Sequence, residues 1–192
     1  MSETSIVVVE NNPVITTVNN AVNVAITENT VEVVDAPFKK YGAFEFNGRQ
    51  QIADTTAVYA MPLDTTDFSG DVYISNTSRI NFPTAGLYNI QWSGQFQNTS
   101  NSIENIYVWL RINGVDVPGS TGFISINARK SATEVAHNII GWNYFLRFTP
   151  NQYAELVWSA TNTTVSLESY SALTNPIRPS TAAIILTAQQ VA

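Results

Sequence analysis

The 192-residue chain has no cysteine and a single histidine, and only 12% of its residues are charged. Globular domains usually carry roughly twice that charge. A small secreted module of this size would often be stapled by disulfides. Their absence points to a chain that folds in a reducing compartment or is built into a particle there. The nine Lys and Arg residues are scattered, the only adjacent pairs being Lys39-Lys40 and Arg129-Lys130, and the net charge is −6. Neutralising phosphates needs a clustered basic face, so nucleic acid is not an expected partner. No run approaches the roughly 18 apolar residues of a membrane span, and Met-Ser-Glu-Thr at the start is not a secretory leader. Neither a membrane partner nor a cofactor is expected.

Catalytic constellations are equally scarce. The lone His137 near Glu134 reads as a surface or loop residue rather than a base. A two-metal carboxylate site would need a second Glu-x-x-His on a helix bundle. Gly119-Ser120-Thr121-Gly122 lacks the strand-turn-helix setting of a nucleophile elbow and reads as a loop. There is no Gly-rich phosphate loop. The expectation is a protein that is not an enzyme. Asp64, Asp67 and Asp71 are the candidates for Ca²⁺, since an oxygen-rich loop can hold a hard cation. Their spacing is not that of an EF-hand, and the same side chains serve turns by bonding the backbone. Asn76, Asn98 and Asn162 head glycosylation-like triplets that are better read as turn chemistry.

What the chain does contain is Asn, Thr, Val and Ile, with nine Phe, eight Tyr and four Trp. That mixture favours strands and turns over helices. It divides near residues 35–40 into an arm, residues 1–36, and a larger domain, residues 37–192. The arm shows four short β-prone segments at residues 6–9, 14–18, 22–26 and 31–34, punctuated by Asn-rich turns. It holds no aromatic residue and buries little area per residue, so it needs a partner surface. Its candidate contact residues are Val7, Val9, Val14, Ile15, Val22, Val24, Ile26, Val31 and Val33. Three arms could interweave in a trimer, or one could add strands to another protein's sheet. A meander folded on its own domain is the third arrangement.

From Tyr41 onward the pattern is strand, turn, strand. Strands are expected near residues 41–46, 54–63, 70–75, 86–93, 106–112, 123–128, 139–148, 153–159, 165–167 and 183–188. Asn113-Gly114 is the strongest hairpin turn, because a type I′ turn needs positive φ at both central positions. About ten short strands without a helical period indicate a β-sandwich.

The most telling stretch is Ile-Asn-Phe-Pro-Thr-Ala-Gly-Leu-Tyr-Asn-Ile-Gln-Trp, residues 80–92. After Gly86 every second side chain is large and apolar (Tyr88, Ile90, Trp92). It resembles the strand signature of the tumour-necrosis-factor and complement globular-head superfamily, with Ile80 six positions before Gly86, and with Ile80 and Ile90 where phenylalanine is commoner. The resemblance implies an all-β, TNF-like jelly roll that assembles as a homotrimer. If Val108, Leu110 and Ile112 face the core, Tyr107, Trp109 and Arg111 form an outward patch and a candidate trimer contact. In the alternative, core and surface are reversed and Trp109 is internal.

An acidic, cysteine-free, trimeric jelly roll with an N-terminal β arm is expected to act as a virion component. It looks like the decoration or cement proteins of tailed bacteriophages, with the major capsid protein as partner and the outer capsid surface as its location. The alternative is a fibre head or receptor-binding protein, for which a host-surface glycan is the candidate ligand and loops 98–105 and 161–164 the candidate contact regions. A secreted adhesion module is the third reading.

Overall fold

The computed structural model describes residues 15–18, 21–24 and 39–192, and among them there are strands and no helix. Contacts divide the chain between Phe38 and Lys39. In the arm, β1 (Ile15–Val18) pairs antiparallel with β2 (Ala21–Val24), Ile15 opposite Val24. Ile15, Val22 and Val24 lie on these strands. Val7, Val9, Val14, Ile26, Val31 and Val33 lie outside the described residues.

The larger unit begins with β3 (Tyr41–Phe46), β4 (Arg49–Gln51), β5 (Tyr59–Ala60), β6 (Thr65–Gly70), β7 (Tyr73–Ser75) and β8 (Arg79–Phe82). Then come β9 (Gly86–Asn98), β10 (Glu104–Ile112), β11 (Val115–Asp116), β12 (Gly122–Ile126) and β13 (Ala136–Phe148). The chain ends with β14 (Gln152–Ala160), β15 (Val165–Glu168), β16 (Leu173–Thr174), β17 (Ile177–Arg178) and β18 (Ile184–Gln190). Eight of these form the body: β3, β8, β9, β10, β12, β13, β14 and β18. One sheet runs β3-β18-β9-β13, and the other β8-β14-β10-β12. Numbered along the chain, the first sheet holds the first, eighth, third and sixth strands, and the second the second, seventh, fourth and fifth. That antiparallel order is a jelly roll, two Greek keys wound into a sandwich.

Alternation makes the two faces. Along β9 the burial alternates from Tyr88 to Asn98, with Tyr88, Ile90, Trp92 and Phe96 inside. Along β10, Ile106, Val108 and Leu110 are inside. Across the gap β14 contributes Leu156 and Trp158, and β18 contributes Ile184 and Leu186. Phe82 stacks on Phe148 with ring centres 3.8 Å apart, and the Tyr88 ring meets both edge-on. Fully burying such side chains is worth about 1.5–3 kcal/mol each, which makes this cluster a principal anchor of the sandwich.

Turn chemistry behaves as its residues dictate. Asn113 and Gly114 have φ of 49° and 82°, and Ile112 pairs with Val115 across them. Two expected strands are shorter than the pattern implies. Within residues 54–63 only Tyr59–Ala60 pairs, because the Asp54 carboxylate accepts the Thr56 N–H and hydroxyl, each at 2.8 Å, and holds a turn. Within residues 70–75, Asp71 takes a φ of 70°, so β6 ends at Gly70 and β7 starts at Tyr73. The aspartate-rich stretch before it, read as a loop, is largely β6 itself.

Candidate functional site

The signature residues build the core rather than a site. Ile80, Tyr88 and Ile90 are fully buried and Trp92 nearly so. The Tyr88 hydroxyl donates to the Thr84 carbonyl at 2.9 Å, and burial, reinforced by Asp71, raises its pKa. Gly86 is small for a local reason: a Cβ there would lie 2.5 Å from Gln190 Nε2 and 2.8 Å from the Ala192 carbonyl oxygen. The C-terminal residues cross at this point, where the Leu87 N–H donates to Ala192 O at 2.7 Å and Val191 N–H to Leu87 O at 2.8 Å.

The second sheet's outward face carries Tyr107, Trp109 and Arg111, partly exposed opposite the buried Val108 and Leu110. β10 and its hairpin partner β11 bring them to one carboxylate. Trp109 Nε1 donates to Asp116 Oδ1 at 2.9 Å, and Arg111 Nε to the same oxygen at 2.8 Å. These bonds, that from Trp109 foremost, hold the Asp116 carboxyl below the usual range. Tyr107 packs on Phe123 of β12 with ring centres 5.3 Å apart. On the same face Arg79 lies 3.7 Å from Glu155. This surface is charged, and its charges are already paired.

The first sheet's outward face is different. Register aligns Tyr41, Gln189, Asn89 and Phe145 in one row across β3, β18, β9 and β13. The next rows are Ala43, Thr187, Gln91 and Asn143, then Glu45, Ile185, Ser93 and Gly141. Phe68 of β6 joins beside Tyr41, with ring centres 6.1 Å apart. Phe68, Phe145 and Ile185 are 62%, 58% and 50% exposed, and Tyr41 is 42% exposed. Among these rows Glu45 alone carries formal charge. In the first of these rows, Asn89 Oδ1 is sealed from solvent without a hydrogen-bond partner. Sequence reasoning missed this face because outward residues of β9 read simply as polar. Its signal was there to find: amides and aromatics where a solvated strand would carry Lys and Glu.

The structure does not gather the three aspartates. Asp64 Oδ1 accepts the Asn47 N–H at 3.4 Å and the Thr65 hydroxyl at 3.0 Å. Asp71 pairs with Lys40 at 2.6 Å. Asp67 is the exposed extra residue where the β3/β6 register shifts, since Ala43 opposes Phe68 and Phe44 opposes Thr66. Among the described residues no group of three or more His, Cys, Asp or Glu is placed to hold a metal ion. Ser120 is buried, its hydroxyl donating to Val117 O at 2.8 Å and accepting the Leu110 N–H at 3.0 Å, which is structural use. Loops 98–105 and 161–164 are bound to each other. Thr161 and Asn162 donate to the buried Glu104 at 2.7 and 3.0 Å, and Asn98 donates to Ser102 O and Asn127 O. His137 lies exposed on β13.

No family model matches the sequence, and no curated protein does. Among solved structures, the chain is similar to the globular domain of the zebrafish complement 1qA protein, at 8% identity and a TM-score of 0.46, over 80% of this chain and 98% of that one. The fold assignment rests on the strand order above.

Proposed function

We propose that the protein is a non-enzymatic structural component of a virion that assembles as a homotrimer and decorates the capsid, binding the major capsid protein at the outer surface and stabilising the shell. The observation that carries this reading is the charge-poor, aromatic set of three rows on the outer face of the β3-β18-β9-β13 sheet, in which Glu45 alone is charged. Interface cores are depleted of charge and enriched in aromatics. A second copy packed there would cover Tyr41, Phe68, Phe145 and Ile185. The Tyr107, Trp109 and Arg111 face, its charges paired internally, is the second candidate contact between subunits.

Attachment belongs to the arm in this account. Residues 1–36 hold no aromatic residue, and three arms acting together multiply weak contacts through effective concentration. A trimer that binds only assembled shell stabilises it by mass action. Deleting residues 1–36 should leave a soluble trimer that no longer binds capsids. Retained binding overturns the arm's role. The alternative, a fibre head that adheres to a host glycan, is separated by copy number: hundreds of chains per purified particle mean decoration, and a handful mean a fibre.

A further inference from the structure

At the end of the first sheet where β13 meets the last residues of β9, a cleft of about 580 Å³ opens against the segment carrying β16 and β17. Its walls include Gln95, His137, Ile139, Tyr170, Arg178 and Thr181, and no acidic residue lines it. The chain carries a net charge of −6, yet Arg178 has no carboxylate within 4.0 Å among the described residues. The residue is partly exposed, and its guanidinium donates to the Pro179 carbonyl at 3.2 Å and lies 5.7 Å from the Tyr170 ring centre. Glu168, the carboxylate whose charge acts on Tyr170, is engaged by Arg49 at 2.6 Å and by the Ser166 hydroxyl at 2.7 Å.

The neutral groups of the cleft have unused bonding capacity. The Tyr170 hydroxyl has one proton, which goes to Gln97 Oε1 at 3.1 Å. With that proton spent, His137 Nδ1, 2.9 Å from the Tyr170 hydroxyl oxygen, donates to it, and the neutral ring keeps Nε2 as an acceptor. Thr181 Oγ1 accepts the Tyr170 N–H at 3.2 Å and keeps its own proton to give. Gln95 spends Nε2 on the Ala182 carbonyl at 2.7 Å and keeps its oxygen. Ile139, 67% exposed, supplies an apolar wall.

We propose that this cleft binds an acidic sugar, a pyranose bearing one carboxylate. Arg178 takes the carboxylate as a charge-assisted fork. His137, Thr181 and Gln95 meet ring hydroxyls, and the sugar's C–H face rests on Ile139 and the Tyr170 ring. One guanidinium balances one negative charge, so a phosphate dianion is a poorer fit. The cleft lies beyond the rows assigned to self-association, and the inference stands whichever particle the chain belongs to.

The test is saturation-transfer NMR on the full chain with D-glucuronate, its methyl ester and D-glucose. Glucuronate should bind with a dissociation constant on the order of 1 mM, as a ligand of this size allows. The ester and glucose should bind about tenfold more weakly, the loss expected for a charge-assisted bond. Arg178→Ala should abolish the difference between acid and ester, Arg178→Lys should retain part of it, and Arg129→Ala should leave it unchanged, all with unaltered melting temperatures. Equal binding of glucuronate and glucose by the unmodified chain, no binding of either, or an undiminished difference in Arg178→Ala overturns the proposal. A tetrasaccharide with internal glucuronates separates the sources: tighter binding than the monosaccharide identifies a polysaccharide chain, and equal or weaker binding identifies the free acid, each supporting the site.

Discussion

Tyr144 donates its hydroxyl to the carbonyl oxygen of Ser120 at 2.8 Å, tying the edge strand β13 of one sheet to the loop that leads into β12, the edge strand of the other. Beside it Trp142 lies over Gly122, whose added Cβ would sit 3.3 Å from the indole. Together they close the open side of the sandwich. Burial pushes the Tyr144 phenol above its ordinary pKa, with the Trp92 indole pulling the other way. Removing the hydroxyl alone leaves the Ser120 carbonyl without this donor. Tyr144→Phe should cost about 1 kcal/mol in urea unfolding with an unchanged m-value, and Tyr144→Ala about 3 kcal/mol. No loss in either variant would show that the clasp contributes nothing.

Asp116 accepts from both Trp109 and Arg111, so its carboxyl ionises below the usual carboxylate range. A depressed pKa in the folded state stabilises the fold above the ordinary value of 3.8 and withdraws that stabilisation as pH falls through the lower folded value. Acidification should therefore change tryptophan fluorescence below about pH 4 as the indole loses its acceptor. Asp116→Asn should remove that step and leave the neutral-pH fold intact. An identical acid profile in the variant would contradict the assignment.

Tyr170 sits at the other extreme. Its burial, with the Glu168 charge adding to it, pushes the phenol up to about 12. A raised folded pKa gives stability that is full below the ordinary value of 10.0 and is lost as pH rises through the folded one. In an ultraviolet titration Tyr170 should ionise after the exposed tyrosines, as should Tyr88 and Tyr144, whose phenols burial also raises, and Tyr170→Phe should shrink the late component by one tyrosine. If the late amplitude is unchanged by the substitution, Tyr170 does not contribute to it.

Gly86 is held small by the chain terminus that passes over it. Gly86→Ala should destabilise by about 1–3 kcal/mol, an overpacking cost. Deleting Val191 and Ala192 should relieve part of it. The Gln190 side chain can swing aside, whereas the Ala192 backbone is bonded to Leu87. A variant as stable as the parent would mean that the terminus moves freely.

Much of this fold was legible in the sequence, because a strand with one buried face writes its period into the chain. Tyr88, Ile90 and Trp92 announced β9, and Asn113-Gly114 announced a hairpin whose φ values bear it out. Segments governed by a single side chain were harder to read. The Asp54 turn replaced most of an expected strand, and the Asp71 φ split another. The face built by Tyr41, Phe145 and Ile185 left a trace in the composition of its strands, but which residues meet on it was not legible, since register across β3, β18, β9 and β13 is a long-range property. The cleft is hidden for the same reason: His137, Tyr170 and Arg178 meet only when three separate strands and a connecting segment converge.

Self-association through the charge-poor sheet face is the central claim, and sedimentation equilibrium of the full chain addresses it most directly, together with Phe145→Glu and Trp109→Glu. The prediction is three times the 21.1 kDa chain mass for the parent, with dissociation in Phe145→Glu and a smaller loss of trimer in Trp109→Glu. A parent that sediments at the mass of one chain, or a Phe145→Glu variant that stays trimeric, would contradict it.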